Sequence, residues 1–132
     1  MFVRLSATDW APDGWSLEET VSVSAQLADR GVDLIDVSSG GLVAHQSITS
    51  GPGYQVPFAR AVREGGAQLV AAVGMITEPA QAEQVLVEGS ADAVMLAREL
   101  LRDPHWPLRA AAVLRAQADW PAQYLRARRS AT

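Results

Sequence analysis

Four times along this chain a β-rich, largely apolar run of strand length gives way to a loop and then to a segment with helical periodicity; the runs are FVRLS, VDLIDVS, QLVAAV and ADAVMLA. Runs that lack apolar–polar alternation suit strands buried on both faces, as in a parallel sheet. The units recur at roughly 30 residues, the length of a βαβ crossover, and such crossovers are right-handed. An α/β fold follows. Two architectures satisfy the repeat: a small doubly wound open sheet, and half of a (β/α)8 barrel, which when complete needs about 250 residues. With 132 residues, 48% of them hydrophobic, the chain has apolar material for one core and not for two. Periodicity alone leaves both architectures open.

Local signals divide the chain further. Ser16 and Glu19 form a capping-box pattern at the head of the first helix, which is expected to bury Leu17, Val21, Ala25, Leu27 and Ala28 and to end at Gly31 in a left-handed cap. Pro57 suits the first turn of a second helix, PFARAVREGG. In the third, Thr77 caps, Pro79 opens, Ala82, Val85 and Leu86 face inward, and Gly89 stops the helix. After the fourth run a short turn, RELLR, precedes a longer helix beyond Pro104. The stretch 39–56, with its glycines and proline, has no period and reads as a long irregular loop, where function tends to concentrate. Residues 1–118 thus carry four βα units without an internal boundary, and residues 119–132 form a basic tail with no core pattern.

Composition removes several classes of function. Eleven arginines, with no lysine, stand against fifteen acidic residues, a formal net charge of -4, so no chain-wide positive field exists to hold nucleic acid or an anionic bilayer. The absence of cysteine excludes disulfides, thiolate zinc sites, iron–sulfur ligation and cysteine nucleophiles; any redox chemistry needs a cofactor. The first residues, MFVRLSATDW, lack the basic and apolar regions of a leader, and no apolar run approaches the roughly 20 residues of a membrane span. A soluble, cytoplasmic protein is the expectation.

Few side chains suggest chemistry. The third strand ends in Gly74-Met75, and the fourth in Ala97-Arg98 with a helical turn directly after. Backbone N–H groups at such strand-to-helix turns suit a phosphate, with Arg98 adding a charge-assisted bond; the alternative is a tight turn at Gly74 with Arg98 paired to Glu99 or solvated. Arg4 lies inside a strand, where a buried guanidinium needs a negative or carbonyl oxygen to face; the alternative is an edge or surface position paired with Asp33 or Asp36. Asp33 and Asp36 point to opposite faces and make no acid–base pair. Ser38 and Ser39 lack a nucleophile elbow and read as strand-end caps. His45 and His105 have no ligand spacing, so no metal is expected. The four tryptophans read as packing anchors.

Taken in order, FVRLSATDW, GVDLIDVSSGG, GPGYQVPFA, AVGMITEPAQAE and ARELLRDPHWPLRAA resemble the carboxy-terminal half of the Old Yellow Enzyme family, in particular its YqjM-like bacterial branch of FMN-dependent, NADPH-oxidising ene-reductases. The resemblance implies the second half of a (β/α)8 barrel. It also implies ping-pong hydride transfer from NADPH through FMN to the β-carbon of an activated alkene. By resemblance, Arg4 matches the arginine at the pyrimidine edge of the flavin, while Gly74, Met75, Ala97 and Arg98 line its phosphate. Many relatives have glycine at the position of Ala97, a change that leaves the backbone donors in place. Arg126, in PAQYLRAR, matches an arginine that in this branch crosses a dimer interface into the neighbouring active site. The substrate-binding histidine pair and the proton-donating tyrosine belong to the family's first four units and have no counterpart here. The resemblance therefore implies a homo-oligomer or a complementary half-barrel as partner, two open sheet edges favouring self-association.

Overall fold

The structure is a computed structural model that describes residues 1–66 and 69–128. Its elements follow the expected alternation: β1 (Phe2–Ser6), α1 (Leu17–Ala28), β2 (Leu34–Ser38), α2 (Val56–Glu64), β3 (Leu69–Val73), α3 (Pro79–Val87), β4 (Ala93–Met95), α4 (Arg98–Arg102) and α5 (Trp106–Val113), then a 3-10 helix at Ala122–Ala127. Gln68, read from sequence as the start of the third strand, lies outside the described residues, as do residues 129–132 of the tail.

The strands form one parallel sheet in the order β1-β2-β3-β4. Each right-handed crossover therefore steps in the same direction and sets its helix on the same face, whereas a doubly wound sheet must reverse direction at a switch point. The chain is thus singly wound, as in half of a (β/α)8 barrel.

Register sorts the strand residues between two faces. Val3, Ile35 and Val70 stand side by side, as do Leu5, Val37, Ala72 and Val94, and these rows pack with Ala59, Val62, Ala82, Val85 and Trp106 from the helices. The intervening rows, Phe2–Leu34–Leu69 and Arg4–Asp36–Ala71–Ala93, point to the other face and take no part in that core. Among the described residues no helix covers this second face, and Phe2 and Leu69 are 69% and 48% exposed.

Helix α1 departs from the expected face. Leu17, Val21 and Leu27 pack only partly buried at the margin of the core, Ala25 and Ala28 are likewise half-buried, and the fully buried residues are Thr20 and Ser24. Small side chains let the helix approach the sheet closely, and the Thr20 hydroxyl is satisfied there, donating to the Ala7 carbonyl at 3.1 Å while accepting from the Trp15 indole. The capping box is present, the Ser16 and Glu19 side chains each bonding the other's backbone N–H, and Gly31 takes φ +83° just past the helix.

At α3 the cap is Glu78 and not Thr77. Pro79 at the first turn forces the residue before it into extended backbone, so Glu78 becomes the boundary. The Thr77 N–H is met instead by Gln81 Oε1 at 3.1 Å, and its carbonyl by the Trp106 indole at 2.7 Å. Ala82 and Val85 are buried as expected, while Leu86 is 37% exposed. Among the described residues no helix is long and apolar enough to cross a membrane.

Candidate functional site

At the carboxyl ends of the strands, the turns after β2, β3 and β4, with Arg4 of β1, surround a cleft of about 350 Å³. Ligands of open or closed parallel sheets bind at this end, because the loops there are free to vary while the strands fix their bases. Arg4, Gly74, Met75, Ala97 and Arg98 all line the cleft, alongside Ser38, Tyr54 and Gln55. Arg126 does not line it; it sits in the exposed 3-10 helix of the tail.

The turn after β3 has an unusual backbone. Gly74 takes φ +123°, open to glycine alone without strain, and a Cβ there would come within 2.7 Å of the Gln55 amide nitrogen and 3.0 Å of the Tyr54 ring. Met75 follows at φ 52°, a left-handed conformation uncommon outside glycine. Two successive residues at positive φ thus turn the chain sharply after β3, and both line the cleft. Across the cleft, Arg98 opens α4. The Glu99 carboxylate is taken by Arg102 at 3.1 Å and Arg109 at 3.8 Å, so among the described residues Arg98 faces the cleft without an ion-pair partner.

A relay of side chains fixes this end of the sheet. The Trp10 indole donates to Ser39 Oγ at 2.9 Å, Ser39 donates to Gln55 Oε1 at 2.6 Å, and Gln55 Nε2 donates to the Val73 carbonyl at 2.8 Å. The turns after β1, β2 and β3 are thereby joined, with Gly53 N–H adding a bond to the Gly74 carbonyl. Trp10 itself packs edge-on against Phe58, the ring centroids 5.5 Å apart, in line with the anchoring role expected of it. Gln81 reaches from α3 to the Met75 carbonyl at 3.2 Å. Sequence reasoning passed over Gln55 and Gln81, because a glutamine beside a helix start is ordinarily a surface residue; Gln55 is buried.

Arg4 has protein partners of its own. One guanidinium nitrogen lies 3.3 Å from Asp36 Oδ2 and another donates to Ser38 Oγ at 3.1 Å. Of the two candidate aspartates it is Asp36 that pairs, since Asp33 precedes the strand and lies beside the Met1 amino group. The Asp36 carboxyl is pushed above its ordinary range by burial, an effect that the Arg4 charge partly offsets. His45 is exposed in the loop after β2, and among the described residues no group of acidic and histidine side chains is placed to hold a metal.

The sequence model of the NADH:flavin oxidoreductase / NADH oxidase family matches residues 1–117. The chain belongs to this family, that of Old Yellow Enzyme. It is similar to the NADPH dehydrogenases of Geobacillus thermodenitrificans (48% identical over 126 residues), Geobacillus sp. strain WCH70 (47%) and Bacillus subtilis (44%). Each alignment covers 96% of this chain, which spans 37% of the length of these relatives.

Proposed function

We propose that the chain supplies the phosphate side of an FMN site in an NADPH-oxidising flavin oxidoreductase that reduces activated C=C bonds. The observation that carries this reading is the cradle opposite Arg98: Gly74 at φ +123°, with no room for a Cβ, beside Met75 in a left-handed conformation. A doubly charged phosphate fits a tight glycine turn beside a guanidinium that, among the described residues, has no ion-pair partner, and family membership makes a flavin phosphate the first choice. The backbone of Gly74, Met75 and Ala97 would hold the phosphate, and Arg98 would balance its charge. Arg4 would meet the pyrimidine edge of the ring and steady negative charge there. When bound, FMN would supply two-electron transfer between a nicotinamide and an alkene. The protein's part is to bind, orient and set the local electrostatics. The names of the relatives, NADPH dehydrogenases, support NADPH as reductant. The alkene, a small molecule, and a partner that completes the site belong to the same proposal, as does a cytoplasmic location.

A second reading draws on the uncovered sheet face, where Phe2 and Leu69 are exposed. In it the chain self-associates into a non-catalytic half-barrel assembly that binds phosphate-containing ligands weakly. Titration with FMN followed by flavin fluorescence, with solution mass and anaerobic bleaching by NADPH, separates the two. Tight binding with bleaching supports the flavoenzyme. Binding no stronger than that of inorganic phosphate, without bleaching, supports the second reading, and no binding of either ligand removes both.

A further inference from the structure

We propose that Asp36 is the positioning residue for Arg4: it aims the guanidinium across the open sheet face, offsets its charge, and so sets how strongly the cleft favours reduced over oxidised FMN. This rests on the FMN reading above.

Arg4 and Asp36 are register partners on β1 and β2, both directed to the face that the helices leave bare. Asp36 Oδ2 and Ser38 Oγ, two residues apart along one strand and so on one side of it, hold two different nitrogens of the guanidinium. That fork fixes the plane of the group and leaves its remaining donors for the cleft, which Arg4 and Ser38 both line. The fold does not ask for a carboxylate at this place. In the same row β3 and β4 present Ala71 and Ala93, and a small apolar side chain would serve β2 equally.

Asp36 is 8% exposed, and among the described residues its Oδ1 has no hydrogen-bond partner. Arg4 carries the charge that faces it, while its other neighbours, Ser38 along the strand and Ala71 across it, carry none. A buried carboxylate so poorly satisfied persists only through its cation. The reverse also holds: Arg4 presents the cleft with a cation already partly neutralised. Remove the carboxylate and the full charge acts on whatever lies against the guanidinium, favouring the more negative state of that ligand.

The test is the reduction potential of FMN bound to the 132-residue chain, read as the ratio of affinities for reduced and oxidised FMN. Asp36→Asn should raise that ratio roughly tenfold, Arg4→Met should lower it, and in the Arg4→Met background Asp36→Asn should have no effect. An equal rise in both backgrounds would show that Asp36 acts without Arg4 and would overturn the proposal. A ligand-free measurement guards against a variant that misfolds: the Asp36 carboxyl, followed by carbon NMR in the unmodified chain, should titrate above ordinary aspartates, and higher still in Arg4→Met. An ordinary midpoint that ignores Arg4→Met also overturns it. If the unmodified chain fails to bind FMN, the reading under Proposed function is lost, and the NMR titration alone decides whether Asp36 governs Arg4.

Discussion

The two faces of the sheet obey different rules. On the helix side, rows of Val, Ile, Leu and Ala interlock with apolar residues from the helices, and packing accounts for them. On the bare side the rows change character along the strands, from Phe2–Leu34–Leu69 at one end, through the charged pair Arg4–Asp36, to Ser6 and the cleft-lining Ser38 at the other. Packing explains the first of these rows at most. The side that specifies the fold is therefore not the side that carries the chemistry, and a substitution should report which side it touches.

The largest contrast should come from apolar truncations on opposite faces. Ile35→Ala removes a fully buried side chain from the helix-side core and should cost about 2 to 5 kcal/mol in urea unfolding. Phe2→Ala, on the bare face and 69% exposed, should stay within about 0.5 kcal/mol. A comparable loss for Phe2→Ala would mean that something covers that face in solution, and the contrast would fail. Next comes Gly74→Ala, which sets a Cβ against Gln55 and demands φ +123° of an alanine; about 1 to 3 kcal/mol of stability should go, and FMN binding with it. A milder, ligand-specific effect is expected of Arg98→Ala: unchanged unfolding, about tenfold weaker FMN binding, and unaltered binding of riboflavin, which has no phosphate. Equal losses for both flavins would place Arg98 against the ring and not the phosphate.

The smallest effect concerns pH. Because burial raises the Asp36 carboxyl above its unfolded value, the folded chain holds that proton more firmly, and stability falls as pH rises through the folded midpoint. Asp36→Asn removes this liability. It should unfold at a slightly higher urea concentration than the unmodified chain at pH 7, with the gain vanishing below the ordinary carboxylate range. A gain that persisted at acid pH would have a cause other than the charge.

Most of the helix side was legible in the sequence, since apolar runs and caps report directly on burial and on where backbone donors end. The error at α1 shows the limit: Thr20 and Ser24 outcompete larger apolar neighbours for the sheet because they are small and, at Thr20, satisfied by a carbonyl. Pattern reading ranks residues by hydrophobicity and is blind to how closely a helix must approach. On the bare side, Arg4 stood out because a guanidinium within a strand is anomalous, yet whether Asp33 or Asp36 paired with it depended on register, which no single strand reveals. Gln55 left no trace at all, its role arising only where three turns meet in space.

The sheet order has a consequence for how the chain reaches this structure. Phe2 pairs with Leu34, Leu34 with Leu69, and Ala71 with Ala93, so among the described residues each strand docks on the one made just before it. Loop-closure entropy is met in steps of similar size. Assembly can therefore proceed in the order of synthesis at the ribosome, each new unit finding its template already waiting, and only the outer edges of β1 and β4 stay uncovered by the sheet's own strands.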